Sequence, residues 1–269
     1  MCYYSSIQEV TMKTLLFILI SLVSFICYAA DGCCRTVVVI SVDALHPDAV
    51  GSGSCPNIFR LADGGFFSRD ALSTDPPKTL IAHTAMLTGM SPDKNGKKDN
   101  EWKPGEAKAA QDTLLSYAGK KGYSTSLIYS KKKLGYLGKD ADREIFSAED
   151  AVDAAVSVLN PEEKQFIFLH ISGLDTEGPV SGWMSAEYMD EFSFIDEQLG
   201  ALFNKIKKSP SYLIVVTSDH AGHEKIHGSD HPEDYKRPLI IFSSEGKITD
   251  VPADALKIDG LKGYLETLF

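Results

Sequence analysis

The chain has no excess of basic residues. Lysine and arginine number 27 against 37 aspartates and glutamates, a formal net charge of −10. It therefore lacks the positive face that phosphate-backbone contacts demand, and no nucleic-acid partner is expected. Cysteine is scarce, at 5 of 269 residues. Only Cys33, Cys34 and Cys55 lie beyond the N-terminal segment, an odd number that cannot close a full disulfide framework, and no zinc-ribbon spacing occurs. Repeats and linker-like tracts are also missing, so residues 31–269 are expected to form a single domain with a sizeable core.

Long apolar runs are absent but for one near the N-terminus. Met12-Lys13-Thr14 precedes an apolar stretch from Leu15 to Ile26, and Cys27-Tyr28-Ala29-Ala30 follows. A basic start, a short apolar segment and small residues at its end make residues 1–30 an expected signal peptide, with Met12 as an alternative start. The stretch is short for a membrane span. Export to a periplasmic or secreted location follows, with membrane contact only through this segment or an uncleaved N-terminal anchor.

What is present is an alternation of apolar strands and amphipathic helices. Thr36 to Val42, Tyr123 to Tyr129, Gln165 to Ile171, Tyr212 to Thr217 and Pro238 to Phe242 read as strands, most of them continuous enough to be covered on both faces. Phe66 to Leu72 reads as a further strand. Helices are expected after Pro56, from Thr79 to Gly89, over 107–119, from the capping box Ser147–Asp150 to Leu159, over 185–208 and over 254–269. The helix over 185–208 carries Tyr188, Phe192, Ile195, Leu199, Leu202 and Phe203 on one stripe. The pattern predicts an α/β fold with a mainly parallel sheet and helices on both faces, whose ligands gather at the carboxyl ends of the strands.

Several chemistry-bearing residues fall at those ends. Asp43 follows the first strand, Asp175 comes after Ile171, and Asp219-His220 terminates Tyr212–Thr217. Carboxylates and imidazoles converging on one edge suit a hard divalent metal. Thr79 opens a helix, where a hydroxyl can cap free amides or act as a nucleophile toward a phosphoryl group. Lys131-Lys132-Lys133 reads as a solvated loop, His170 as a packed histidine of its strand, and His83 and His46 as supporting or helix-surface residues.

Taken in order, strand-Asp43, Lys78-Thr79 before a helix ending in Thr88-Gly89, Asp175-x-x-Gly178, and Ser218-Asp219-His220 followed by His227-Gly228 resemble the alkaline phosphatase superfamily. The similar branch is that of the type I phosphodiesterases and nucleotide pyrophosphatases, over roughly residues 36–243. The resemblance implies a three-layer alkaline phosphatase-like sandwich and a small phosphorylated substrate. It also implies two divalent ions, zinc or else manganese. One would be held by Asp43, Thr79, Asp219 and His220, the other by Asp175, a histidine four residues later, and His227. It makes Thr79 the nucleophile and Asn100 a phosphate-binding group. The Cys/Ser-x-Pro-x-Arg pattern of sulfatases is missing at the nucleophile.

One position departs. Four residues after Asp175 stands Pro179, which has no side-chain donor, so the second site keeps only Asp175 and His227. Glu177, His223 and His231 are the substitutes within reach in sequence. The expectation is a metal-dependent phosphoric ester hydrolase with an impaired second site. The alternative is a family member that binds phosphorylated ligands or metal without turnover.

Overall fold

A computed structural model describes residues 34–51 and 53–269; the expected signal peptide and Cys33 lie outside them. Seven strands form one sheet: β1 (Thr36–Val42), β2 (Phe66–Leu72), β3 (Ser124–Tyr129), β4 (Arg143–Phe146), β5 (Gln165–Ile171), β6 (Tyr212–Thr217) and β7 (Lys236–Ser243). Their order across the sheet is β2-β7-β6-β1-β5-β3-β4, and only β7 runs against its neighbours. The eight α-helices among the described residues are α1 (Pro56–Gly64), α2 (Thr79–Thr88), α3 (Pro92–Asn95), α4 (Leu114–Lys120), α5 (Ala151–Val158), α6 (Gly173–Ser181), α7 (Ala186–Ile206) and α8 (Leu261–Leu265).

The apolar strands work because both of their faces are covered. Side chains alternate across a strand, so Val38, Ile40 and Val42 of β1 join the core beneath α1, α5 and α7. Val37 and Val39 join the opposite core with α2, α4 and α8. All seven residues of β1 are buried, which explains its unbroken apolar run. The edge strands are the polar ones: β2 carries exposed Arg69 and Asp70, and β4 opens on exposed Arg143 and Glu144. Charge there discourages pairing with another chain.

Helix α7 presents the expected stripe, all of it buried, with Ile206 extending it and Asp196 lying within it. Its carboxylate accepts from the Asn57 and Ile58 amides at 3.0 and 2.8 Å. Cys55, at the N-cap of α1, supplies no side-chain cap. A carboxylate from another helix therefore satisfies the free amides of α1 and complements its dipole.

Where the structure departs from the expected elements, tertiary bonds account for it. The helix expected over 107–119 starts at Leu114, because Thr113 and Ser116 form a capping box there. Upstream, Ala107 and Ala109 are tied into loop bonds with Trp102 and Tyr136. Ser147 does not cap a helix: it accepts from the Asp150 amide and closes the preceding turn, and α5 begins one residue later. The expected closing helix over 254–269 is broken because the Leu256 carbonyl accepts from buried Arg237 and the Ile258 amide bonds to Leu72. Strand β4 and helix α6 were not anticipated; the first is short and charged, the second holds two glycines and a proline.

Replacing Asp196 with Ala leaves two buried amides of α1 without an acceptor. A loss of about 2 kcal/mol in chemical denaturation is expected, with a smaller loss for Asp196→Asn. An unchanged midpoint for Asp196→Ala would contradict this cross-helix cap.

Candidate active site

Parallel register brings the carboxyl ends of β6, β1 and β5 side by side; the turns after β6 and β1 carry Asp219-His220 and Asp43, and the first turn of α6, after β5, carries Asp175. The turn after β1 is held under strain. Ala44 adopts a left-handed φ of 63° without being glycine. Its carbonyl accepts from the Tyr188 hydroxyl at 2.8 Å and Trp183 Nε1 at 3.2 Å, which fixes the departure of the chain from Asp43.

Each of the three carboxylates has one oxygen engaged by protein donors and the other without a hydrogen-bond partner. Asp43 Oδ2 accepts from His170 Nε2 at 2.9 Å and pairs with Lys131 Nζ at 2.6 Å, while Oδ1 is unpartnered. Asp219 Oδ1 accepts from the Ala44 amide at 3.3 Å, leaving Oδ2. Asp175 Oδ2 accepts from Lys131 Nζ at 2.5 Å, leaving Oδ1. All three free oxygens lie near His220 Nε2, at 3.5 Å for Asp43, 3.5 Å for Asp219 and 3.8 Å for Asp175.

His220 is fully buried, and its Nδ1 donates to the Ala221 carbonyl at 2.9 Å, which turns Nε2 toward the carboxylates. Burial pushes its pKa down, but the charges of Asp219, Asp43 and Asp175 outweigh burial and raise it. Unpartnered buried ligand atoms with an unbalanced negative charge are what a cation satisfies. Asp43, Asp219 and His220 offer atoms all within 4.8 Å of one another, a donor set that suits zinc or manganese.

Thr79 is the first residue of α2, not its cap. Lys78 holds the cap position without a capping side chain, and the Leu80 amide is satisfied instead by Asn100 Oδ1 at 2.8 Å. Thr79 Oγ1 touches Lys131 Nζ at 3.2 Å. Beneath it, His83 donates from Nδ1 to the Thr79 carbonyl and accepts the Ser41 hydroxyl at Nε2, both at 2.8 Å. Burial pushes His83 down to about 4, so this support stays neutral. Thr79, Asn100, His220 and His227 line a cavity of about 290 Å³ with Lys78, Glu101 and Gly228. With Oδ1 accepting from the Leu80 amide, both Nδ2 donors of Asn100 remain for a ligand.

His227 Nε2 lies 3.3 Å from Asp175 Oδ1, and the ring packs against Trp183 and stacks on His220. Gly178 and Gly222 leave room for Trp183: a Cβ at either would come within 2.8 Å of its ring. Pro179 sits inside α6 and offers no ligand. The three substitutes do not come in. Glu177 bonds to Ser181, His223 pairs with Asp234 at 2.7 Å, and His231 stacks on His223.

Two groups depart from their sequence reading. Lys131 is not a solvated loop residue but reaches into the carboxylate cluster; only Lys132 of the three lysines is exposed. His170, read as a packed histidine, is fully buried and holds Asp43 through Nε2 while Ser130 engages its Nδ1 at 3.0 Å. Its place at the end of β5, beside Asp43 at the end of β1, was the available signal. His46 lies apart from this cluster and caps the turn Pro47–Ala49.

The family model described as type I phosphodiesterase/nucleotide pyrophosphatase matches residues 37–247. The chain belongs to that family. Among its relatives, GPI ethanolamine phosphate transferase 1 of Yarrowia lipolytica is 34% identical over 96 residues, covering 34% of this chain and 10% of the relative. The Saccharomyces cerevisiae protein of that name is 31% identical over 87 residues, covering 31% and 10%, and the Mus musculus protein 25% over 206 residues, covering 63% and 21%. The matched stretches span between about a tenth and a fifth of the length of these curated relatives.

Solved structures of similar fold include a 2-O GAG sulfatase, with a TM-score of 0.70, 16% identity, and coverage of 87% of this chain and 70% of that one. The C-terminal periplasmic domain of EcEptC from Escherichia coli, in complex with Zn, gives 0.61, 15%, 87% and 82%. Murine ectonucleotide pyrophosphatase/phosphodiesterase 5 gives 0.56, 18%, 69% and 57%. These likenesses bear out the alkaline phosphatase-like sandwich expected for the phosphodiesterase family.

Stripping the protein with a chelator and adding back zinc or manganese is expected to raise its Tm, through linkage worth about 2.7 kcal/mol at a hundredfold excess over Kd. Asp219→Asn should remove most of the rise. A melting curve indifferent to metal in the unsubstituted protein would contradict the fit of the Asp43–Asp219–His220 cluster to a cation.

Proposed function

We propose that this chain cleaves small phosphate esters by attack of Thr79 at a divalent-metal centre held by Asp43, Asp219, His220 and Thr79 itself. One observation carries the reading. Three buried, unpartnered ligand atoms converge beside a threonine hydroxyl that caps nothing and lines a cavity of about 290 Å³.

When bound, a divalent ion would supply Lewis-acid charge favouring both the threonine alkoxide and the phosphoryl oxygens. The protein's own groups do the rest. His83 and Asn100 pin the first turn of α2, so Thr79 Oγ1 is held in place before substrate arrives. Attack forms a bond from Oγ1 to phosphorus and breaks the ester bond, the threonine proton leaving with the alcohol. Water then cleaves the threonine ester, restoring the hydroxyl and releasing phosphate or its monoester. The Asn100 Nδ2 donors would stabilise a phosphoryl oxygen.

A second acceptor is favoured by the activity for which the matched relatives are named, ethanolamine phosphate transfer. The same threonine ester could pass its phosphoryl group to an alcohol instead of water. The location we propose, outside the cytoplasm, rests on residues 12–30 of the sequence.

With zinc or manganese present, the protein is expected to hydrolyse bis(4-nitrophenyl) phosphate. Thr79→Ala should abolish turnover with its melting curve retained, and Asn100→Ala should reduce kcat by about 10²-fold. Glycerol in the assay separates the acceptors, since a glyceryl ester forms only by transfer. Turnover surviving in Thr79→Ala would exclude the threonine as nucleophile, and metal binding without turnover on any ester would favour a binding protein.

A further inference from the structure

The second set of ligand atoms does not fit a cation as the first does. Asp175 and His227 contribute one atom each, and Pro179 contributes none. The third nearby atom is His220 Nε2, which the first group also needs. One imidazole nitrogen has one lone pair and cannot serve two ions. Among the described residues, Glu177, His223 and His231 are held elsewhere.

A different positive charge is already there. Lys131 Nζ lies 2.6 Å from Asp43 Oδ2, 2.5 Å from Asp175 Oδ2 and 3.2 Å from Thr79 Oγ1. These three acceptors match the three N–H donors of an ammonium. The lysine emerges two residues past the end of β3, and Ser130 before it is anchored to His170, which also holds Asp43. The side chain is thus positioned by the same network that positions the metal ligands.

We propose that the Lys131 ammonium takes the place of the second cation, making this a centre of one divalent ion and one lysine. The inference rests on the proposed threonine reaction and says which charges serve it. Three carboxylates are balanced by one divalent ion and one ammonium. A second divalent ion with Lys131 in place would leave the centre doubly positive before substrate binds. Lys131 touches the attacking oxygen directly, so it acts as a catalytic residue: it offers fixed positive charge to the Thr79 oxygen and bridges Asp43 to Asp175. Pro179 is then no defect, since the ligand it displaces has no ion to hold.

The test is metal content measured by mass spectrometry after saturation with zinc and gel filtration, alongside turnover of bis(4-nitrophenyl) phosphate. The unsubstituted protein is expected to carry one ion per chain. Pro179→His alone should still carry one, whereas Lys131→Ala combined with Pro179→His should carry two. Lys131→Met should retain its single ion yet lose at least a hundredfold in kcat with little change in KM, and Lys131→Arg should recover part of that loss. Two ions in the unsubstituted protein, or full turnover in Lys131→Met, would overturn the role given to Lys131 while leaving the threonine reaction standing. No bound ion and no turnover in the unsubstituted protein would overturn the threonine reaction itself. The unsubstituted stoichiometry needs no variant to fold.

Discussion

Three carboxylates converge at the carboxyl edge of the central strands with too little positive charge among them, and the site is built around meeting that imbalance. Asp43 and Asp219 are fully buried and Asp175 is partly exposed, yet each leaves one oxygen without a partner close to a single imidazole nitrogen. Bare charges in a dry interior are costly unless paired or coordinated to metal. The surroundings compensate in part. Burial opposes the charge on Asp43, but Lys131 and His170 hold its carboxyl well below the usual carboxylate range. The same carboxylates raise the Lys131 pKa against its burial, so the ammonium stays charged. What remains is negative charge for one further cation.

The rest of the fold serves to hold that arrangement without slack. Two apolar cores clamp the sheet from both faces, and the register of β1, β5 and β6 sets the ligand-bearing ends level. Around them lies a layer of supporting groups. Trp183 and Tyr188 secure the strained turn at Ala44, His83 secures Thr79, and His170 links Asp43 to the lysine-bearing loop. Such support makes a site rigid before substrate binds, and the electrostatic part of phosphoryl-group chemistry depends on that rigidity.

The sheet and much of the site were legible in the chain because each left a local mark. A strand covered on both faces is a continuous β-branched run, and an acid just past its end is visible as such. Asp43 and Asp219 carry that mark, and Thr79 stands out at a helix start. The helix start alone left Thr79 open between cap and nucleophile. Lys78 at the cap position and Asn100 on the Leu80 amide show that Thr79 Oγ1 caps nothing. Lys131 was opaque for another reason. In a run of three lysines nothing local distinguishes the one that turns inward, and only its position past β3, level with Asp43 and Asp175, does so. The shortened 107–119 helix and the broken C-terminal helix were misjudged similarly, because bonds to Trp102, Tyr136 and Arg237 come from far along the chain.

The proposed reaction stands on Thr79 forming a covalent bond to phosphorus. The direct measurement is to quench the metal-loaded protein within the first turnovers of an activated phosphodiester, digest it, and determine the mass of the peptide carrying Thr79. A phosphoryl adduct on Thr79 is expected to form with the first burst of product and to decay as substrate is exhausted. Product release with the Thr79 peptide unmodified throughout, or an adduct on any other residue, would contradict it.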